Sequence, residues 1–134
     1  MVSQTYRDAA QFEELYTRMF DQIAGDDPDG MDPLVEQEMV IRFRMNKPDV
    51  ELWVDGRSKP VQTSFGTESL EASLTADLSG DSMHELLLGT LPLGRALLFG
   101  KLKVEGSKSE ALNLESLLHS CQAVYPSLAE KILG

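Results

Sequence analysis

The chain has 134 residues, 22 acidic against 12 basic, a formal net charge of −10 and one cysteine. One hydrophobic core serves a chain of this length, so residues 1–134 are expected to form a single domain, and a lone cysteine allows no intramolecular disulfide. The negative surface repels phosphate backbones and anionic headgroups, no basic patch offsets it, and nucleic acid is excluded as a partner.

The opening "MVSQTYRDAAQFEELYTRMF" has no apolar segment behind a positive start, so it does not read as a signal peptide. It reads as a helix over residues 5–24. Phe12, Leu15, Tyr16, Met19, Phe20 and Ile23 recur at spacings of three and four and share one face. Ser3 or Thr5 is the expected cap and Gly25 the stop. The polar face, with Arg7, Asp8, Glu13, Glu14, Arg18 and Asp21, is mildly acidic. A helix lying on a membrane would show Lys and Arg there, so this one is expected to cover a sheet.

"GDDPDGMDP", residues 25–33, is an acidic turn. Set against a calcium loop, Gly30 takes the glycine position and Asp27, Asp29 and Glu36 take ligand positions. Position one, however, falls on Gly25, which has no ligating side chain, and Pro28 stiffens the loop. A calcium site is not expected.

From Glu38 the period becomes two. Met39, Ile41, Phe43 and Met45 alternate with Val40, Arg42 and Arg44. After the turn "NKPD", Val50, Leu52 and Val54 alternate with Glu51, Trp53 and Asp55. Asp55-Gly56 signals a hairpin, residues 60–65 a weaker third strand, and residues 69–78 a fourth. Short turns between successive strands predict an antiparallel meander.

Helices return at "SGDSMHELLLG", with Asp81 or Ser82 as cap and Gly89 as stop. Pro92 opens a short helix, "PLGRALLF", closed by Gly100. "KLKVE" is a strand with Leu102 and Val104 inward. Ser107 and Glu110 form a capping box for a helix whose stripe is Ala111, Leu114, Leu118 and Cys121, with Leu117 beside it. A last helix starts at Pro126 and carries Leu128, Ile132 and Leu133. This order predicts an α+β domain, helices over a mainly antiparallel sheet.

Catalytic patterns are missing. His119 and Cys121 stand two apart on a helix and project to different sides, so they cannot share a metal. Neither a Cys-x-x-Cys, a His-Glu-x-x-His nor a Gly-x-Ser-x-Gly occurs. Cys121 reads as a small buried apolar side chain of a reducing compartment. The leucine-rich stretch from His84 to Gly106, "HELLLGTLPLGRALLFGKLKVEG", is too short and too interrupted by Gly89, Pro92, Gly94 and Arg95 to span a bilayer.

The segment "ADLSGDSMHELLLGTLPLGRALLFGKLKVEGSKSEALNLESLL" resembles the sterol carrier protein 2 family. The features that carry the resemblance are Gly89 at a helix end, Ala96, the run Gly100, Lys101, Leu102, Lys103, Val104 and Gly106, and then Ala111 and Leu114. The resemblance implies a sheet of about five strands covered by helices, with a hydrophobic tunnel between the layers. It implies binding of sterols, phospholipids, fatty acids or fatty acyl-CoA without chemistry on them, and no cofactor. Lys101 or Lys103 would meet an acidic headgroup at a tunnel mouth. The chain ends "KILG" without a Ser-Lys-Leu-type address, and the expected location is cytoplasmic. Tunnel walls are expected from Phe43, Trp53, Leu87, Leu91, Leu97, Leu98, Phe99, Leu117 and Leu118. The partner expected is a lipid or fatty-acyl ligand, with no integral membrane association. An interaction or homodimerisation module with the same fold and a filled core is the alternative.

Overall fold

Alternation along one strand organises the molecule. β1 (Val40–Asn46) turns Ile41, Phe43 and Met45 to one side and Arg42 and Arg44 to the other, as successive side chains of a pleated strand must. β2 (Val50–Asp55) pairs with it antiparallel, setting Phe43 opposite Leu52 and Arg42 opposite Trp53. β3 (Gln62–Phe65) lies outside β2, and β5 (Leu102–Glu105) lies outside β4 (Leu74–Ser79). The order is β3-β2-β1-β4-β5. The computed structural model describes residues 4–66, 70–106 and 108–133, without the side chains of 108–112.

The sheet corrects one sequence expectation. β1, β2 and β3 do form a meander, but β4 does not continue it. The chain crosses back and β4 pairs with β1 in parallel, Phe43 opposite Ala76. A period of two looks the same whichever neighbour a strand adopts, so the crossover leaves no mark in the pattern. The remaining pairs are antiparallel, and the sheet is the mainly antiparallel five-stranded one expected.

Helices cover the apolar face. α1 (Ala9–Asp26) runs one residue past the expected stop at Gly25 and starts later than the expected residue 5, because Asp8 is the cap: its carboxylate accepts from the Gln11 N–H at 2.9 Å, while Ser3 lies outside the described residues. Thr5 is drawn elsewhere, its N–H donating to Asp81 at 3.0 Å. α2 (Asp32–Glu36) was not legible, since five residues are too few to display a period. α3 (Gly80–Leu88) is capped by Ser79, not by Asp81 or Ser82, and stops at Gly89 in the left-handed region, φ 81°. α4 (Leu93–Leu98) follows Pro92, and α5 (Lys108–Gln122) and α6 (Tyr125–Leu133) complete the layer. The capping box at Ser107 and Glu110 lies outside the described residues. Buried side chains of the helices and the apolar face of the sheet form one continuous core.

The other face of the sheet carries charge. Arg44 binds Asp77 through two hydrogen bonds, 2.5 and 2.7 Å, and holds that carboxyl below its ordinary range. Arg42 binds Glu51 and stacks its guanidinium 5.3 Å from the Trp53 ring. Trp53 Nε1 donates to the Gly66 carbonyl at 2.8 Å, tying the start of the β3–β4 connection to this face.

Two glycines test the packing in opposite directions. A Cβ at Gly80 would run into the Lys47 carbonyl and stand 3.0 Å from the Tyr6 ring, whereas at Gly94 it would meet nothing within 4 Å. Gly80→Ala is expected to cost about 1–3 kcal/mol, and Gly94→Ala to gain up to about 1 kcal/mol from helix propensity. Urea midpoints at constant m-value would show both.

Candidate functional site

An apolar recess forms where α1 runs out. Phe20, Ile23 and Ala24 of the last turns of α1 make one wall. Pro28 and Met31 of the following turn, with Val35 of α2, make the second, and Pro60 and Val61 before β3 the third. The space enclosed is about 250 Å³. Asp27, Asp32 and Lys59 are its polar lining.

Local sequence explains the geometry. The Asp27 N–H donates to Ile23 O at 2.8 Å and ends α1, and Gly30 N–H donates back to Asp27 O at 3.0 Å. A side chain at Gly30 would meet the Asp27 carboxylate, which would have to swing aside, and approach Ser120 Oγ to 3.0 Å. Ser120 of α5 fastens it, donating to Gly30 O at 3.2 Å. Lys59 Nζ reaches across the rim to Asp29 at 2.5 Å and Asp32 at 3.0 Å. Hydrogen bonds to these two carboxylates push the Lys59 ammonium above its ordinary pKa. The acidic turn thus serves as a rim, and among the described residues no group of three or more side chains could hold a metal ion.

The residues expected to line a tunnel are not gathered in one wall. Phe43, Leu87, Leu91, Leu117 and Leu118 are buried in the common core. Trp53 stands on the opposite face of the sheet from Phe43, opposite Arg42 and under its guanidinium. Leu97, Leu98 and Phe99 are exposed. None of the nine touches the recess. Phe20 and Ile23 belong to the legible stripe of α1; most of the remaining lining comes from the turns around them and from the five-residue α2, where hydrophobic periodicity carries no signal.

A second cluster has polar atoms, its three phenols fully buried and His84 half-buried at its edge. Tyr6 Oη lies 2.7 Å from Tyr16 Oη and 2.6 Å from Tyr125 Oη, and His84 Nδ1 lies 2.6 Å from Tyr125 Oη. Burial pushes the Tyr6 phenol up to about 12 and raises Tyr16 and Tyr125 as well. All three stay neutral and join the N-terminal segment, α1, α3 and α6. Burial also lowers the His84 pKa, against the pull of Asp81 and Glu85. It raises the Cys121 thiol to about 12, which leaves almost no thiolate at neutral pH.

Residues 20–119 match the model of the SCP-2 sterol transfer family. The chain belongs to the SCP-2 sterol transfer family. Over 83 residues it is 29% identical to hydroxysteroid dehydrogenase-like protein 2 of Bos taurus, a match covering 61% of this chain but 20% of that protein. It therefore spans about a fifth of that curated relative. The fold is shared with sterol carrier protein 2 of Yarrowia lipolytica in its apo form (TM-score 0.63, 19% identity, 78% of this chain and 88% of that one). It is also shared with palmitated SCP2L2 of Aedes aegypti (TM-score 0.56, 21% identity, 80% and 93%). The family assignment and the five-stranded sheet with covering helices expected from "GKLKVEG" and its flanks stand. No helix among the described residues is long and apolar enough to cross a membrane.

Two measurements check the titrating groups. Cys121 is expected to ignore Ellman's reagent in the folded SCP-2 domain and to react fully in guanidinium. For His84 the fold favours the neutral ring, so its contribution is complete above the ordinary pKa of about 6.5 and is lost as pH falls below that value through the lower pKa of the folded state. The melting temperature should fall from neutral pH toward mildly acidic pH, and fall less in His84→Gln.

Proposed function

We propose that the protein binds an extended apolar ligand, a fatty acyl chain, phospholipid or sterol, and that the recess at the end of α1 receives its apolar part without chemistry on it. The supporting observation is an apolar concavity in a member of a family described by sterol transfer. A fold neighbour that carries palmitate adds to it. At about 250 Å³ the recess is smaller than the roughly 300–1,000 Å³ of sites that enclose a whole drug-sized ligand. It suits a segment of chain or the edge of a ring system. Met31 lines it and is buried in the core. An unbranched thioether repacks readily, so the recess deepens toward the sheet when a longer chain enters. Each square ångström of apolar ligand surface covered contributes about 25 cal/mol.

The rim selects the head of the ligand. Lys59 already bridges Asp29 and Asp32, and Asp27 adds a further carboxylate. A free fatty-acid anion meets net negative charge here. An ester, thioester or hydroxyl head does not.

Ala24 is an exposed helical position on the lip of the recess, so Ala24→Trp fills the space with little strain on the fold. It should weaken binding of a fluorescent fatty acyl ester at least tenfold while leaving the melting temperature nearly unchanged. Unlabelled methyl palmitate should displace the probe better than palmitate. Equal binding by wild type and Ala24→Trp would overturn the placement. Lack of any probe binding, with no lipid carried through purification, would overturn the function.

A further inference from the structure

Away from the recess, at the β5 edge, the fold leaves a second apolar surface uncovered. Leu97, Leu98 and Phe99 at the end of α4 are 42%, 78% and 64% exposed. A single exposed leucine is ordinary, but three consecutive large apolar side chains in water are not. Ala96 buries the inner side of this short helix. At about 100° per residue, Arg95 projects between Leu98 and Phe99 on the outer side. Exposed Lys101 and Lys103 follow on the run into and along β5.

The charge around this surface is opposite to that of the molecule. Residues 86–104 contain Arg95, Lys101 and Lys103 and not one acid, in a chain with 22 acidic residues. Asp77, the cross-strand neighbour of Lys103, is held by Arg44, and Glu105 lies 3.9 Å from the same guanidinium. Net charge averages over the chain and hides this edge. The expectation that no basic patch offsets the acidic surface is corrected here, because the turn at Gly100 brings β5 directly behind α4. The acidic face of α1 does argue against membrane docking, but through α1 alone.

We propose that the α4–β5 edge is a docking surface for an anionic lipid bilayer. Leu98 and Phe99 enter below the headgroups, Leu97 lies along the interface, and Arg95, Lys101 and Lys103 meet lipid phosphates. Apolar side chains ringed by Lys and Arg are the combination that holds an interfacial helix in place. The acidic remainder of the molecule opposes approach, but fixed charges are screened beyond about 8 Å at physiological ionic strength. At contact the local cations decide. A second copy of the chain is a poorer occupant, since pairing this edge with itself sets like charges face to face. The proposal rests on the lipid-binding reading above, which supplies a reason to visit a bilayer.

The test is sedimentation of the full chain with vesicles of three parts phosphatidylcholine to one part phosphatidylglycerol, and with vesicles of phosphatidylcholine alone. The mixed vesicles should be bound at least tenfold more tightly, with the advantage lost in high salt. The double variants Leu98→Ser/Phe99→Ser and Arg95→Glu/Lys101→Glu should each lose at least tenfold on mixed vesicles. Both alter exposed positions, and both should keep wild-type binding of the acyl-ester probe in vesicle-free solution. Equal affinity for both vesicle types, or variants that bind mixed vesicles like wild type, overturns the proposal. So does a wild-type dimer that Leu98→Ser/Phe99→Ser dissociates without any vesicle binding. Vesicle binding lost in both variants, in a protein that takes up no probe, upholds the docking surface and removes the carrier reading.

Discussion

The constraint on which the rest depends is the one-sided cover of the sheet. With helices on a single face, β1 must be apolar toward them and self-sufficient toward water. Ile41, Phe43 and Met45 meet the first demand. Arg42 and Arg44 meet the second by reaching to opposite neighbours, Glu51 on β2 and Asp77 on β4. Partly exposed ion pairs of this kind add only about 0–1 kcal/mol each. Their larger effect is on register, because a slip of one residue would carry both arginines into the core. The same division explains Trp53, which forms an apolar island on the polar face beneath Arg42 and is anchored at its Nε1 by Gly66.

The helical layer is fastened unevenly. Near the start of α1 the three phenols and His84 lock four segments together, and the aromatic rings of Tyr6, Phe12 and Tyr16 pack edge-on and stacked around them. Tyr16 lies about two helical turns before Ala24. There the helix ends, the chain turns through prolines and glycines, and the layer is held by Ser120 and by the Lys59 bridges at the rim. Space opens where fastening is light. On the proposed function, a ligand entering beside Ala24 displaces side chains such as Met31 without disturbing the phenolic cluster.

Much of the fold was legible because its long elements are strongly periodic: α1, β1, β2, the Gly89 stop and the "KLKVE" strand all lie close to where pattern places them. The β1–β4 pairing was not, since alternation fixes faces and leaves partners open. The site was less legible still. The alternation of Leu52 with Trp53 already separates Trp53 from the face of Phe43, so combining strand register with residue type would have kept it out of a shared wall. Leu97, Leu98 and Phe99 spread over about 200° of a short helix, and no period can say which side a neighbour covers. Leu87, Leu117 and Leu118, expected as tunnel walls, are buried in the core; burial in a core and contact with a ligand have the same sequence signature.

The recess beside β3 and the α4 surface beside β5 lie toward opposite edges of the sheet. Four strand spacings of about 4.8 Å separate these edges, roughly 19 Å. If both proposals hold, a docked molecule holds its recess away from the bilayer it touches. Cargo then has two routes. It can pass between the layers, along the apolar side chains of Phe43 and Leu87, which requires the helices to part from the sheet, or it can exchange at the recess only after the molecule leaves the surface. The first route makes transfer sensitive to core volume along β1 and β4, where Ala76 faces Phe43 across the strand pair. Enlarging Ala76 would slow transfer at unchanged docking and unchanged affinity at the lip. The second route makes transfer follow the dissociation rate from the membrane, so that tighter docking would slow delivery. The moderate cation count of the α4–β5 edge, three in an otherwise acidic chain, suits the second: enough charge to arrive, with the surrounding carboxylates favouring release.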